Sequence, residues 1–169
     1  SKTRRVIAPD HPVFGLSSQI AYELPLTDSM VTYLTGFMDA LSLSKVDIVA
    51  LSMGAQAVLA LATEKPERIG KMIVIDSAGL GRAFPPVFRL VNVPLLGRFI
   101  VRPNRWGQDN YFKTMEVVNS EFADAPAYRQ YAYSVTLSVG HAREMRASLQ
   151  VITSLGGQRQ IFGDAELCS

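Results

Sequence analysis

The chain has 169 residues, of which 48% are hydrophobic and 19% charged, a composition that fits one soluble domain with a single core and excludes a disordered segment. Its formal charge is +2, and the basic residues are scattered among acids, which excludes the concentrated basic footprint of a nucleic-acid binder. The one cysteine, Cys168, excludes an internal disulfide, and no cluster of Cys and His points to a metal site.

The first predicted element is a strand over "RVIA", Arg5 to Ala8, stopped by Pro9 and followed by the loop "PDHPVFGLSS", in which prolines, glycine and serines interrupt any regular element. "LTDSMVTYLTGFMDALSL" then predicts an amphipathic helix, with Thr27 or Asp28 as N-cap and Val31, Leu34, Phe37 or Met38, and Leu41 at helical spacing. "VDIVAL" is β-branched and almost wholly apolar, as expected of a strand buried on both faces of a parallel sheet. From Met53 to Glu64 the chain is rich in Ala and Leu and stops before Pro66, which predicts an interior helix. "KMIVID" reads as a third buried strand. The order β, α, β, α, β with short connections predicts an α/β fold built on a parallel sheet with flanking helices.

After "SAGLGR" the β-branched runs thin out. Four helix-length segments follow: "PPVFRLVNVPLLGRFI", "RWGQDNYFKTMEVV", "APAYRQYAYSVTLSV" and "HAREMRASLQVITSL". Gly156 and Gly157 are expected to end the last helix, and "QIFGDAELCS" is expected to trail off without a strand. The organisation read from this pattern is a partial core at 1–82, a helical insertion at 83–158, and the start of a return to the core at 159–169. No apolar run reaches the roughly 18 residues of a membrane span, and no apolar stretch follows "SKTRR" as a signal peptide requires. The expected compartment is the cytoplasm. The chain opens at Ser1 without a methionine and almost directly on a strand, which suggests that its true beginning is missing.

Ser52 falls where a buried strand turns into a buried helix, at the carboxyl end of the strand, where parallel α/β sheets bind their ligands. A serine on so tight a turn is pushed out above the sheet. The first amides of the following helix are unpaired donors at its positive end, so the N–H of Met53 is placed to receive an oxyanion. The turn is expected to need very small residues two positions either side of the serine, and Ala50 and Gly54 stand there. The alternative reading is that Ser52 only caps the helix.

The hexamer "ALSMGA" resembles the nucleophile elbow GxSxG of the α/β-hydrolase fold. "RRVIAPDHPVFGLS" resembles the strand and loop ahead of that elbow, often DxPGFGxS, and "KPERIGKMIVIDSAGLG" resembles the helix end and strand behind it. The helical half is similar to the family's cap domain, so the likeness covers nearly the whole chain. Two positions depart from the pattern: Ala50 replaces the first glycine, as in some lipases of this fold, and Val13 replaces the glycine before Phe14.

The resemblance implies a serine hydrolase of the capped kind, similar to meta-cleavage product hydrolases and esterases, with no cofactor. A serine hydroxyl needs a histidine to take its proton and a carboxylate to orient that histidine. In this family the acid and the histidine normally follow the cap, so the resemblance implies an internal fragment that is inactive and poorly stable by itself. Neither His11 nor His141 matches the position of the base. Asp76, at the end of the third expected strand, stands where pancreatic-type lipases and certain dehalogenases place their acid; most capped members place it one strand later. Its alternative role is to fix the "SAGLG" turn. The second half of the oxyanion hole comes, in this family, from a His-Gly segment, and none precedes Arg5.

A serine in place of an aspartate argues for attack on a carbonyl, either a carboxylic ester or the carbon–carbon bond of a diketone. Phe84, Phe88 and Trp106, with Phe99, Tyr111 and Phe112, are candidates to wall a pocket for a small apolar or aromatic carbonyl substrate. Arg82, Arg89, Arg98 and Arg102 are candidates to hold a substrate carboxylate. The resemblance also admits a second class, a receptor-like protein of this fold that binds a small molecule without turning it over. Neither nucleic acid nor a membrane is expected as a partner, and the oligomeric state is left open.

Overall fold

The computed structural model describes residues 3–12, 14–18, 26–102, 104, 126–137 and 141–163. In chain order the elements are helix α1 (Leu26–Ala40), strand β1 (Val46–Leu51), helix α2 (Ser52–Glu64), a 3-10 turn (Pro66–Arg68) and strand β2 (Ile69–Ile75). Short helix α3 (Pro86–Arg89) runs into a second 3-10 turn (Leu90–Asn92), and α4 (Leu96–Ile100), α5 (Pro126–Thr136) and α6 (His141–Ile152) follow. The last elements are β3 (Thr153–Ser154) and β4 (Gly157–Gln158). The chain forms two compact units, one of residues 22–93 with 148–169 and one of residues 1–21 with 94–147.

The larger unit grows around α1, α2 and the sheet. β1 and β2 pair in parallel, with Ile48 opposite Met72, Ala50 opposite Val74 and Leu51 opposite Ile75. The register is irregular between Val46 and Ile48; there the Asp47 carboxylate accepts the Lys71 N–H at 2.9 Å, so a side chain satisfies a donor near the irregular part of the ladder. Of the face expected for α1, Val31 and Met38 are buried and Leu34 packs against them, while Leu41 lies past the helix end; Met30 is buried as well. Val31 and Met38 close a core with Ala60 and Leu61 of α2, against which Val46, Ile48, Ile69 and Phe162 pack. Thr27 and Asp28 lie inside the first turn rather than at its cap. The Thr27 N–H donates to Gln160 Oε1 at 3.3 Å and its hydroxyl accepts from Gln160 Nε2 at 3.0 Å. A residue far along the chain thus serves one of the orphan donors of this helix start.

Three expectations are corrected. Arg5–Ala8 forms no strand, and Val6 is 71% exposed; three apolar residues stopped by Pro9 are too short a run to form a strand on propensity alone. β1 and β2 are not buried on both faces. β1 alternates, with Val46, Ile48 and Ala50 turned toward the helices, and β2 is exposed from Gly70 to Ile73; Val49 and its partner Ile73 are 68% and 58% exposed. Nor does the last helix run to Gly156 and Gly157: it stops at Ile152, while described residues 160–163 form no strand, as expected. Thr153–Ser154 and Gly157–Gln158 form a short antiparallel hairpin, because Gly157, at φ +120°, turns the chain back where a side chain would not fit.

The segment 85–100, expected as one helix, is broken into α3, a 3-10 turn and α4 by Pro94 and by Leu95 at φ +66°, since proline removes a helical donor. This part and the end of α6 are stitched together: Asn92 Nδ2 donates to Thr153 Oγ1 at 3.0 Å and Gln150 Nε2 to the Val91 carbonyl at 3.2 Å. In the smaller unit, the expected loop after Ala8 is present. The Asp10 carboxylate accepts the Leu16 N–H at 3.0 Å, and the Ser17 hydroxyl donates to the Asp10 carbonyl at 2.5 Å. Gly15, at φ +53°, leaves room for that carboxylate where a Cβ would otherwise stand. Val13 and the expected helix "RWGQDNYFKTMEVV" beyond Asn104 lie outside the described residues.

Candidate active site

β1 delivers Ser52 and β2 delivers Asp76. Leu51 and Ile75 are register partners in a parallel pair, so the residues that follow them emerge side by side at the carboxyl edge of the sheet. Both leave their strands through the left-handed region, Ser52 at φ +52° and Asp76 at φ +45°. Such a conformation is costly for a residue with a side chain, of order 1–2 kcal/mol, and strain of this kind collects where a side chain must be aimed.

Ser52 is exposed and is the first residue of α2. The N-cap is Leu51, with extended backbone and no side-chain hydrogen bond to the helix, so Ser52 does not act as the cap. Ser52 instead projects a hydroxyl beside a helix N-terminus whose first amides, Met53 included, have no intrahelical acceptor. The Ser52 carbonyl accepts the Ala78 N–H at 3.1 Å. That bond ties the serine turn to the loop leaving β2. Behind the serine, α2 is buried from Ala55 to Leu61, which roots the turn in the core.

The other half of the expected geometry is open. A Cβ added at Gly54 meets nothing within 4 Å among the described residues, because β1 has only β2 beside it. The close approach expected to demand a glycine there is therefore not found. Ala50 is half-buried on the core side of β1.

Asp76 is exposed and its carboxylate takes no hydrogen bond among the described residues. The "SAGLG" turn is held by other groups: the Ala78 N–H on Ser52, Ser77 Oγ donating to the Ala78 carbonyl at 2.7 Å, and the Gly79 N–H donating to Gln158 Oε1 at 2.7 Å. Fixing that turn is thus not the work of the Asp76 side chain.

His11 is half-buried in the loop of the smaller unit. Desolvation lowers its imidazole from 6.5 to about 4, a backbone contact at Pro12 opposing the shift. His141 opens α6. Phe84 and Phe88 pack on each other, centroids 5.8 Å apart and planes tilted by 57°, and Arg89 Nε donates to the Phe84 carbonyl at 2.8 Å. Arg82, Arg98, Arg102 and Phe99 are exposed. Trp106, Tyr111, Phe112 and Cys168 lie outside the described residues. Sequence reasoning missed Gln158, whose partners sit 75 to 79 residues away in the chain; nothing local marks it.

A sequence profile of the alpha/beta hydrolase fold matches residues 1–112, and the chain belongs to this family. Among curated proteins it is 40% identical over 85 residues to a 2-hydroxymuconate semialdehyde hydrolase of Pseudomonas sp. (strain CF600), a stretch that is 50% of this chain and 29% of that one. It is 33% identical over 100 residues to a 2-hydroxy-6-oxo-6-phenylhexa-2,4-dienoate hydrolase of Burkholderia cepacia, covering 59% of this chain and 35% of the relative. A solved 2-hydroxy-6-oxo-6-phenylhexa-2,4-dienoate hydrolase from Rhodococcus sp. strain RHA1 superposes with a TM-score of 0.73 at 21% identity, over 92% of this chain and 55% of that one. At that identity the likeness is one of fold. The chain matches about a third of the length of these curated relatives and just over half of the solved one.

Proposed function

We propose that this chain carries the nucleophile of a serine hydrolase acting on a carbonyl substrate, with Ser52 as nucleophile and the Met53 N–H as one oxyanion donor. The observation that carries the reading is the left-handed backbone of an exposed Ser52 at the strand-to-helix turn. Strain at a solvent-facing serine, beside unpaired helix amides, is what a nucleophile aimed at a bound carbonyl requires. Asp76 is assigned as the acid that orients the general base. Its support is the shared sheet edge and a carboxylate not spent on the neighbouring turn. An imidazole held near 4 is a weak base at neutral pH, so proton acceptance is assigned to a histidine other than His11.

Two of the relatives named above are hydrolases of 2-hydroxy-6-oxo dienoates or of a muconate semialdehyde. They favour cleavage of a carbon–carbon bond next to a ketone over ester hydrolysis. The test uses the full-length protein. A fluorophosphonate is expected to label Ser52 and to leave Ser52→Ala unlabelled, and a 2-hydroxy-6-oxo dienoate is expected to turn over faster than a p-nitrophenyl ester. Absence of labelling, with the dienoate bound but unchanged, would replace the enzyme by a receptor.

A further inference from the structure

The loop that follows Asp76 is held by one side chain from the far end of the chain. Gln158, on β4, is buried and spends its whole amide on this loop. Its Oε1 accepts the Gly79 N–H at 2.7 Å, and its Nε2 donates to the carbonyls of Gly81 at 2.8 Å and Ala83 at 3.1 Å. The backbone adds to this grip: the Gln158 N–H donates to the Arg82 carbonyl at 3.1 Å, and the Phe162 N–H to the Gly79 carbonyl at 2.7 Å.

The fit is tight on both sides. A Cβ on Gly157 would stand against the Arg82 carbonyl oxygen, and one on Gly79, itself at φ +92°, would lie 2.9 Å from the Phe162 ring. Gly157 lets backbone reach backbone, and Gly79 leaves room for the Phe162 ring. The other end of the same loop donates the Ala78 N–H to the Ser52 carbonyl. A chain of contacts therefore runs from Gln158 through Gly79 and Ala78 to the backbone of Ser52, with Asp76 two residues ahead of Ala78.

We propose that Gln158 is a positioning residue for the proposed nucleophile: by gripping residues 79–83 it holds Ala78 against the Ser52 carbonyl and keeps the serine turn in its left-handed conformation. This rests on the reading of Ser52 as nucleophile. Gln158 touches no substrate in this scheme. Gln158→Met keeps the length of the side chain and loses all three hydrogen bonds, leaving the Gly79 N–H unserved in a buried place and the part-buried Gly81 and Ala83 carbonyls without this donor.

The experiment compares full-length wild type, Gln158→Met and Gln158→Glu by thermal melting, by hydrogen exchange resolved at Ala78, and by the rate of fluorophosphonate labelling at Ser52. In Gln158→Met the Ala78 amide is expected to exchange about tenfold faster and labelling to slow about tenfold, a size in line with the cost of unserved buried groups. Gln158→Glu keeps the acceptor for Gly79 but turns a carboxylate oxygen toward the Gly81 and Ala83 carbonyls, so at neutral pH it should be impaired at least as much as Gln158→Met. It should also recover toward the wild-type rate as the pH is lowered and its carboxyl gains a proton that can donate. A merely structural glutamine would lower the melting temperature and leave both the labelling rate and its pH profile as in wild type; that result overturns the proposal. If wild type itself does not label, the nucleophile reading fails and Ala78 exchange alone judges the clamp: unchanged exchange in Gln158→Met overturns it, and accelerated exchange supports it. Should Gln158→Met fail to fold, Gln158→Glu carries the same comparison.

Discussion

At Ser52 the backbone stores energy that glycine would not need to store. Replacing it with glycine removes the Cβ that makes φ +52° expensive, against which stands the greater freedom of an unfolded glycine. Ser52→Gly is therefore expected to leave stability unchanged or to raise it by up to about 1 kcal/mol, while abolishing fluorophosphonate labelling. Chemical denaturation reads the first effect, and a loss of more than that amount would show that the turn is not strained. His11 supplies a pH effect with a definite sign. Its folded value, about 4, lies below the ordinary 6.5, so between those values the unfolded chain binds the extra proton. Stability is full above about 6.5 and declines as the pH falls toward 4, by about 3 kcal/mol at most. His11→Asn should flatten that part of the stability–pH curve, and an unchanged slope would rule out the histidine as its source.

Among the elements, α2 does most of the internal packing: its residues from Ala55 to Leu61 are buried. Gln56 is the exception in chemistry, with its Oε1 buried and without a hydrogen-bond donor among the described residues. Burying an unserved carbonyl costs about 1–3 kcal/mol, and methionine has nearly the same shape. Gln56→Met is expected to raise stability by about 1 kcal/mol; a lower melting temperature would mean that a water or another group serves the amide in solution. The strand-to-helix switch at Leu51 and Ser52 was legible in the sequence because both halves are local patterns, a β-branched run and an Ala- and Leu-rich run. The break of residues 85–100 was also signalled, by Pro94, but a left-handed Leu95 leaves no mark in composition.

For the molecule as a whole, the sheet is the part with most left to bury. Val49, Leu51, Ile73 and Ile75 share one face, as their register pairs require, and all are exposed in this chain. Contiguous apolar surface of this kind drives association in water. The 169-residue chain is expected to self-associate with rising concentration in sedimentation, and Ile73→Lys, which places a charge in the middle of that face, should reduce it. A chain that stays monomeric throughout would show that the face is covered by other means. No described helix is long and apolar enough to cross a membrane, so this face is not explained by a helical span.

Residue order alone determined the elements around Ser52, the helical character of the described part of the second half and the family resemblance, because propensity, periodicity and a short motif are read from near neighbours. It also placed Ser52 and Asp76 at corresponding strand ends. What the tertiary structure decided was pairing across distance: Arg5–Ala8 left without a ladder, one sheet face left open, the hairpin after α6, and Gln158 closing on a loop more than seventy residues earlier. Those outcomes depend on which surfaces and backbone groups meet once the core has formed, and a glutamine or a β-branched residue carries no sign of its eventual partner.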